Sequence, residues 1–246
     1  SGTTTRGPGR ALYLSFDVEP DAPPYINTER GIDEGLPKLL DLLDELKVRA
    51  TFFVLGSLVA RRPRLAYQIL ERGHELAPHG YEHVRLDKLP DREAKEQVAR
   101  AVRAVREFAE PRSFRAPYLR LPRPLLRYLR EEGILVDSSV ALYKPPFRAG
   151  PWVEEGVVRL PATVTSSVLR LPWPALRLAL GALSGLGSVV LFLHPWEAVR
   201  VIHWRPDIWI GTGQRAVENL RRAIEYLSAR GYVVRTVREA GGLGAG

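Results

Sequence analysis

The chain has no cysteine and no methionine in 246 residues, and only five histidines. Without cysteine there is no disulfide framework, no thiolate metal ligand and no cysteine nucleophile. Any metal must therefore be held by histidine, aspartate or glutamate. Without methionine, the chain starts at Ser1 with no initiator, which implies a processed or engineered start. These absences, together with 20 prolines, suit a heat-adapted source. Lysine is scarce too, since arginine supplies 31 of the 36 basic residues behind the net charge of +8. The arginines are dispersed, and even in the dense stretch 100–130 they fall on several faces of two predicted helices. A nucleic-acid footprint would need them on one face, so nucleic acid is not expected as a partner.

A spanning hydrophobic run is also missing. The stretch Leu178–Leu193 has sixteen residues without a charge, short of the roughly twenty that a membrane helix needs. Gly185 and Gly187 divide it, so it reads as a buried helix, a turn and a buried strand. The opening SGTTTRGPGR is polar and glycine-rich, with no apolar core. No signal peptide is read there, and a cytoplasmic location is expected.

What is present is globular, with 45% hydrophobic and 26% charged residues. Strand-like runs alternate with helical patterns. ALYLSFDV (11–18), ATFFVLG (50–56), VVRLPA (157–162), SVVLFLHP (188–195) and YVVRTV (232–237) read as strands. GLPKLLDLLDELKV (35–48), PRLAYQILERG (63–73) and QRAVENLRRAIEYLSARG (214–231) read as helices, with apolar residues at helical spacing. Further helices are expected near 91–109 and 122–132. No linker or repeat interrupts the pattern. It predicts a parallel sheet with helices outside it, closed into one barrel over 11–240. A flexible leader is expected over 1–10 and a flexible tail over 241–246.

Polar residues sit at the carboxyl ends of those strands: Asp17 and Glu19 after the first, His79 and His83 after the third, Arg115, Asp137 and His194 after later ones. In a parallel barrel these ends share one face, where active sites lie. The HxxxH of His79 and His83 alone is a weak metal signal. Its convergence with two carboxylates, a third histidine and an arginine is harder to explain as packing, because buried charges are costly unless paired or metal-bound.

Five segments carry a resemblance: SFDVEPD, then ATFFVLG leading into GHELAPHGYEHVRLDKL, then FRAPY, VDSSV and VLFLHPWE, followed by the ending LRRAIEYLSARGYVVRTVREA. In this order they resemble the polysaccharide deacetylase family, also called carbohydrate esterase family 4 or the NodB-homology domain, from about Leu12 to Val237. The resemblance implies a distorted (β/α) barrel of about seven parallel strands and a metal-dependent hydrolase of non-peptide amide bonds. N-deacetylation of N-acetylhexosamine units in a glycan is the first expectation. Hydrolysis of a cyclic imide or ureide by the same site, and an inactive glycan-binding barrel, remain as alternatives.

The resemblance implies His79 and His83 as metal ligands, and an acid of the first motif as the third. The family pattern has adjacent aspartates, whereas this chain reads Asp17-Val18-Glu19. Strand alternation puts 17 and 19 on one face, which offers Asp17 as general base and Glu19 as ligand, with Asp21 as a substitute ligand. Two imidazoles and a carboxylate with an open position suit Zn²⁺ first, or Co²⁺, Mn²⁺ or Ni²⁺. By the same analogy the Tyr118 N–H faces the oxyanion and His194 protonates the leaving amine. Arg115 is expected to pair with Asp17, and Asp137 with His194 or Arg115. Phe192 stands where an acyl-pocket leucine is common, while Trp196 and Glu197 are expected at the mouth of the site. His203, Trp204, Asp207 and Trp209 suit either substrate contact or a lid. His74 receives no role.

Overall fold

ALYLSFDV forms β1 (Ala11–Val18), and all eight of its residues are buried. A strand dry on both faces belongs in a parallel sheet with helices on one side and a closed interior on the other. The computed structural model describes residues 9–242. The remainder of the leader and tail expectations, at residues 1–8 and 243–246, lies outside the described residues.

Around β1 run β2 (Thr51–Val54), β3 (Glu75–Pro78), β8 (Ser188–Leu193) and β9 (Val233–Arg235), in a sheet of order β3-β2-β1-β8 with β9 also paired to β1. A second sheet has the order β4-β5-β7-β6, from β4 (Ser113–Phe114), β5 (Val136–Asp137), β6 (Trp152–Glu154) and β7 (Val157–Arg159). Two seams join these arcs. The Arg115 N–H donates to the Pro78 carbonyl at 3.2 Å, and the Thr163 N–H to the Val190 carbonyl at 3.0 Å.

Every strand pairing is parallel except β6–β7. About seven parallel strands were expected; the described residues form nine, one of them antiparallel. The extra strand arises because Glu155 and Gly156 both take positive φ (51° and 75°), the geometry of a tight hairpin turn.

Strand alternation sorts the side chains into two layers. Leu12, Leu14, Phe16 and Val18 of β1, Phe52 and Val54 of β2, and Val189, Leu191 and Leu193 of β8 face outward into the main core. There they meet α1 (Leu36–Leu46), α3 (Arg64–Glu71), α6 (Trp173–Leu183) and α8 (Gln214–Ser228). Leu36, Leu39, Leu40 and Leu43 supply the buried stripe of α1 at helical spacing. Ala11, Tyr13, Phe53, Ala77 and Val190 face inward, as the floor of the barrel. Farther along β1 the inward positions turn polar, first Ser15 and then Asp17. The other helices are α2 (Gly56–Arg61), α4 (Asp91–Arg106), α5 (Leu125–Glu131) and the short α7 (Pro206–Trp209).

The stretch expected to be a buried helix is only half buried. In α6 Leu176 and Leu180 face the core, while Leu178 is 78% exposed. The helix lies on the outside of the sheet, so one stripe suffices to bury it. Among the described residues no helix is long and apolar enough to cross a membrane.

Two glycines seat the turn that follows β8. A Cβ at Gly35 would collide with the Pro195 carbonyl oxygen, and one at Gly31 with the Trp196 backbone. Helix propensity alone would favour alanine at Gly35 by roughly 1 kcal/mol. The collision with unyielding backbone outweighs it, so Gly35→Ala is expected to destabilise by about 1–3 kcal/mol in thermal unfolding, as overpacking does. A stabilised variant would mean that the 195–198 turn yields freely.

Candidate metal centre and active site

The inward parity of several strands meets at one end of the barrel. Asp17 is on β1 and Glu19 is just past it, both buried. His79 follows β3, Arg115 follows β4, and Phe192 and His194 share the inner face of β8. With His83, Tyr118 and Trp196, all but Arg115 line a cavity of about 370 Å³. Arg115 lies beneath, fully buried.

The ligand atoms of Glu19, His79 and His83 lie within 4.8 Å of one another. Glu19 Oε2 is 3.2 Å from His79 Nε2 and 2.8 Å from His83 Nε2. His79 Nδ1 sits 2.8 Å from the Arg115 carbonyl oxygen. A carbonyl can only accept, so Nδ1 carries the proton and a neutral His79 presents a lone pair at Nε2. With the ring neutral, that lone pair faces a carboxylate oxygen and a cation fits between the two acceptors; with a second ring proton the same contact is a hydrogen bond. Backbone capture of the far imidazole nitrogen is also how metal-binding histidines are oriented. The donor set of two imidazoles and one carboxylate fits a divalent ion of the zinc type. Burial would raise the Glu19 carboxyl, but His194, His79 and His83 outweigh it and hold it well below the usual carboxylate range.

Asp17 stands beside this group. Its Oδ1 accepts from Arg115 Nη1 at 2.8 Å, and its Oδ2 is 4.0 Å from His194 Nε2. Arg115 also donates to Ser15 Oγ (2.9 Å), to Ser138 Oγ (2.8 Å) and to the Ser138 carbonyl (3.2 Å). It is thus a fixed cation holding Asp17 in one orientation. Asp21 is not available as a ligand. Its carboxylate accepts from the backbone N–H groups of Arg30 and Gly31 and from the Thr28 hydroxyl, and so organises the 20–31 loop.

His194 is held from behind by a residue expected elsewhere. Its Nδ1 is 2.9 Å from Glu197 Oε2, which also accepts from the His194 backbone N–H at 2.9 Å. Glu197 is therefore fully buried beneath the ring rather than at the mouth. The i, i+3 spacing with an N-terminal turn is that of a capping box, a signal present in HPWE. Arg170 Nε lies 2.8 Å from Glu197 Oε1, a charge contact out of hydrogen-bonding alignment. Burial would lower the His194 imidazole, but Glu19, Glu197 and Asp17 together push it up to about 9. Trp196 stacks on the ring at 5.4 Å, nearly parallel.

Asp137 does not pair with His194 or Arg115. Its carboxylate binds Arg159 Nε at 2.9 Å and the Ser139 hydroxyl at 2.6 Å. Strand parity is the reason: Val136 packs in the interior and Ser138 contacts Arg115, so Asp137 between them points the other way.

Phe192 packs with Ala141 and Ala162 against Leu119 and Tyr143, beside the cavity. Tyr118 takes φ 60° and ψ 11°, a strained left-handed conformation of the kind stored at functional sites. Its ring lies 4.5 Å from that of His83. The 199–210 segment packs Val201 and Ile208 against Trp196 and Ala22 at the rim. Arg170 clamps it through the carbonyls of Asp207, Ile208 and Ile210. Trp204 is left 81% exposed. His74 Nδ1 accepts from the Ala50 N–H, away from the site.

Residues 4–136 match the family profile described as polysaccharide deacetylase. A chitooligosaccharide deacetylase of Bradyrhizobium sp. (strain ANU 289) is 32% identical over 164 residues, 65% of this chain and 66% of that protein. The chain spans about two thirds or less of the length of the first curated relatives it matches. Among solved structures, a Mycobacterium smegmatis protein provisionally described as a polysaccharide deacetylase superposes with TM-score 0.74 at 24% identity, over 98% of this chain and 92% of that one. The Puue allantoinase superposes with TM-score 0.72 at 18% identity, over 96% and 91%. At these identities the two structures speak for the fold alone.

Proposed function

The chain belongs to the polysaccharide deacetylase family, and from that premise we propose that it is a divalent-metal-dependent hydrolase that removes acetyl from N-acetylhexosamine units of a glycan. One observation carries the metal dependence: two imidazole nitrogens meet the Glu19 carboxylate at 3.2 and 2.8 Å, with the His79 proton committed to a backbone carbonyl. His79, His83 and Glu19 would hold the ion. When bound, it would polarise the amide carbonyl and make water a competent nucleophile at neutral pH.

The chain's own groups then divide the proton transfers. Asp17, oriented by Arg115, takes the proton from the attacking water. His194, aimed by Glu197, delivers a proton to the leaving amine. The Tyr118 N–H donates to the oxyanion, and Phe192 with Tyr143 bounds the space for the acyl group. The cavity meets a second one of about 570 Å³ at Leu119 and Lys144. That room suits a chain of sugars better than a small cyclic ureide.

The test is acetate release from a chitooligosaccharide by the zinc-loaded protein. Chelation is expected to abolish release, and added Zn²⁺ to restore it. Hydrolysis of a cyclic imide or ureide, with no acetate from any glycan, would replace the substrate class. Full activity after exhaustive chelation would reject the metal.

A further inference from the structure

The second cavity is basic, and its cations are unequally satisfied. Arg123 and Arg159 both meet Glu154 at 2.7 Å, and Arg159 also binds Asp137. Arg85, nearby, is paired with Asp87 at 2.6 Å. Arg120, Lys144 and Arg148 differ: among the described residues no carboxylate lies within ion-pair distance of any of them. Arg148 rests over the Trp152 ring at 4.9 Å, and Lys144 donates to the Tyr118 carbonyl at 3.1 Å. All three line the same cavity.

We propose that this cavity binds an acidic sugar unit adjoining the deacetylated one, its carboxylate received by Arg120, Lys144 and Arg148. The assignment rests on the deacetylase reading for its substrate and makes that substrate an acidic glycan. Lys144 lines both cavities, and its backbone bond to Tyr118 ties the cationic wall to the turn that faces the reacting amide. A chain threaded from one cavity into the other therefore brings its neighbouring unit to the three cations. Charge balance supports this. Burial and the like charges of Arg120 and Arg85 depress the Lys144 ammonium, a cost that an incoming anion relieves. A polymer of phosphates would need a longer stripe, whereas here the flanking arginines are already neutralised by Glu154 and Asp87.

The experiment compares a hyaluronan tetrasaccharide, alternating N-acetylglucosamine and glucuronate, with neutral chitotetraose. Binding is read by calorimetry on the full chain carrying Asp17→Asn, so that turnover does not intrude. The acidic oligosaccharide is expected to bind more tightly. In Arg120→Gln/Arg148→Gln the acidic-to-neutral affinity ratio is expected to fall roughly tenfold or more, as the loss of charge-assisted bonds implies. Lys144→Gln is expected to lower it further. Because the readout is a ratio, a variant that merely misfolds loses both affinities and does not imitate the result. Equal affinities for the two sugars, or a ratio unmoved by the substitutions, overturns the proposal while leaving neutral deacetylation to stand on its own. A ratio that falls as expected, while the zinc-loaded parent chain with Asp17 intact releases no acetate from either oligosaccharide, supports the acidic subsite and rejects the deacetylase reading. Equally tight, arginine-dependent capture of an oligothymidylate overturns the assignment to a glycan.

Discussion

Asp17→Asn is expected to keep its divalent ion and lose about 10²–10⁴-fold in turnover, the range of a general base. Asparagine preserves the shape beside Arg115 but cannot take the proton. Glu19→Ala is expected to lose ion and activity together, because it removes the one carboxylate oxygen that both imidazoles face. Even groups one shell farther from a metal cost about 10–100-fold when removed. Elemental analysis beside an acetate assay separates the two. The physical basis is positional. Glu19 Oε2 is within reach of both ring nitrogens, whereas Asp17 Oδ1 is taken by Arg115 at 2.8 Å. If Asp17→Asn empties the site while Glu19→Ala stays loaded, the two roles are exchanged.

Arg115→Met is expected to be among the most destabilising single changes in the chain, by about 3–5 kcal/mol, the cost of leaving a buried charge without its partner. Asp17 would remain buried with its Oδ1 stripped of the guanidinium and only the His194 ring, 4.0 Å from Oδ2, against it, and the Ser15 and Ser138 hydroxyls would lose their common donor. For a domain of this size the melting temperature is expected to fall by about 6–20 °C. Arg115→Lys keeps the charge but not the planar fork that reaches Asp17, Ser15 and Ser138 at once. It is expected to recover only part of the loss. A melting temperature within about 2 °C of the parent for Arg115→Met would mean that water already solvates Asp17, contrary to its burial.

Much of this arrangement can be read before folding, and the limits are physical. Period-two alternation in SFDVE puts residues 17 and 19 on one face, and the strand-end rule carries His79, Arg115 and His194 to the same end of the barrel. The same alternation, applied to VDSS, would have turned Asp137 away once Val136 was known to face inward. Which member of a two-residue strand faces in depends on its neighbours, and those come from residues 113–114 and 157–159. Glu197 had a local signal too, the i, i+3 spacing of HPWE. It says only that the side chain can return to the backbone, not that the histidine ring will lie between it and the cavity. The half-buried α6 shows the reverse case: an apolar stretch with no stripe cannot say which of its leucines meets the sheet.

What this sequence determined by itself is local or periodic: the strands and helices, the parity that aims acids and histidines inward, and a ligand chemistry limited to oxygen and nitrogen by the absence of cysteine. Tertiary structure alone decided the partnerships. Asp17 meets Arg115 across 98 positions and His79 meets Glu19 across 60. Asp137 is claimed by Arg159. A charge interacts over a few ångströms, so its partner is set by strand order and register, and no periodicity along the chain encodes those distances.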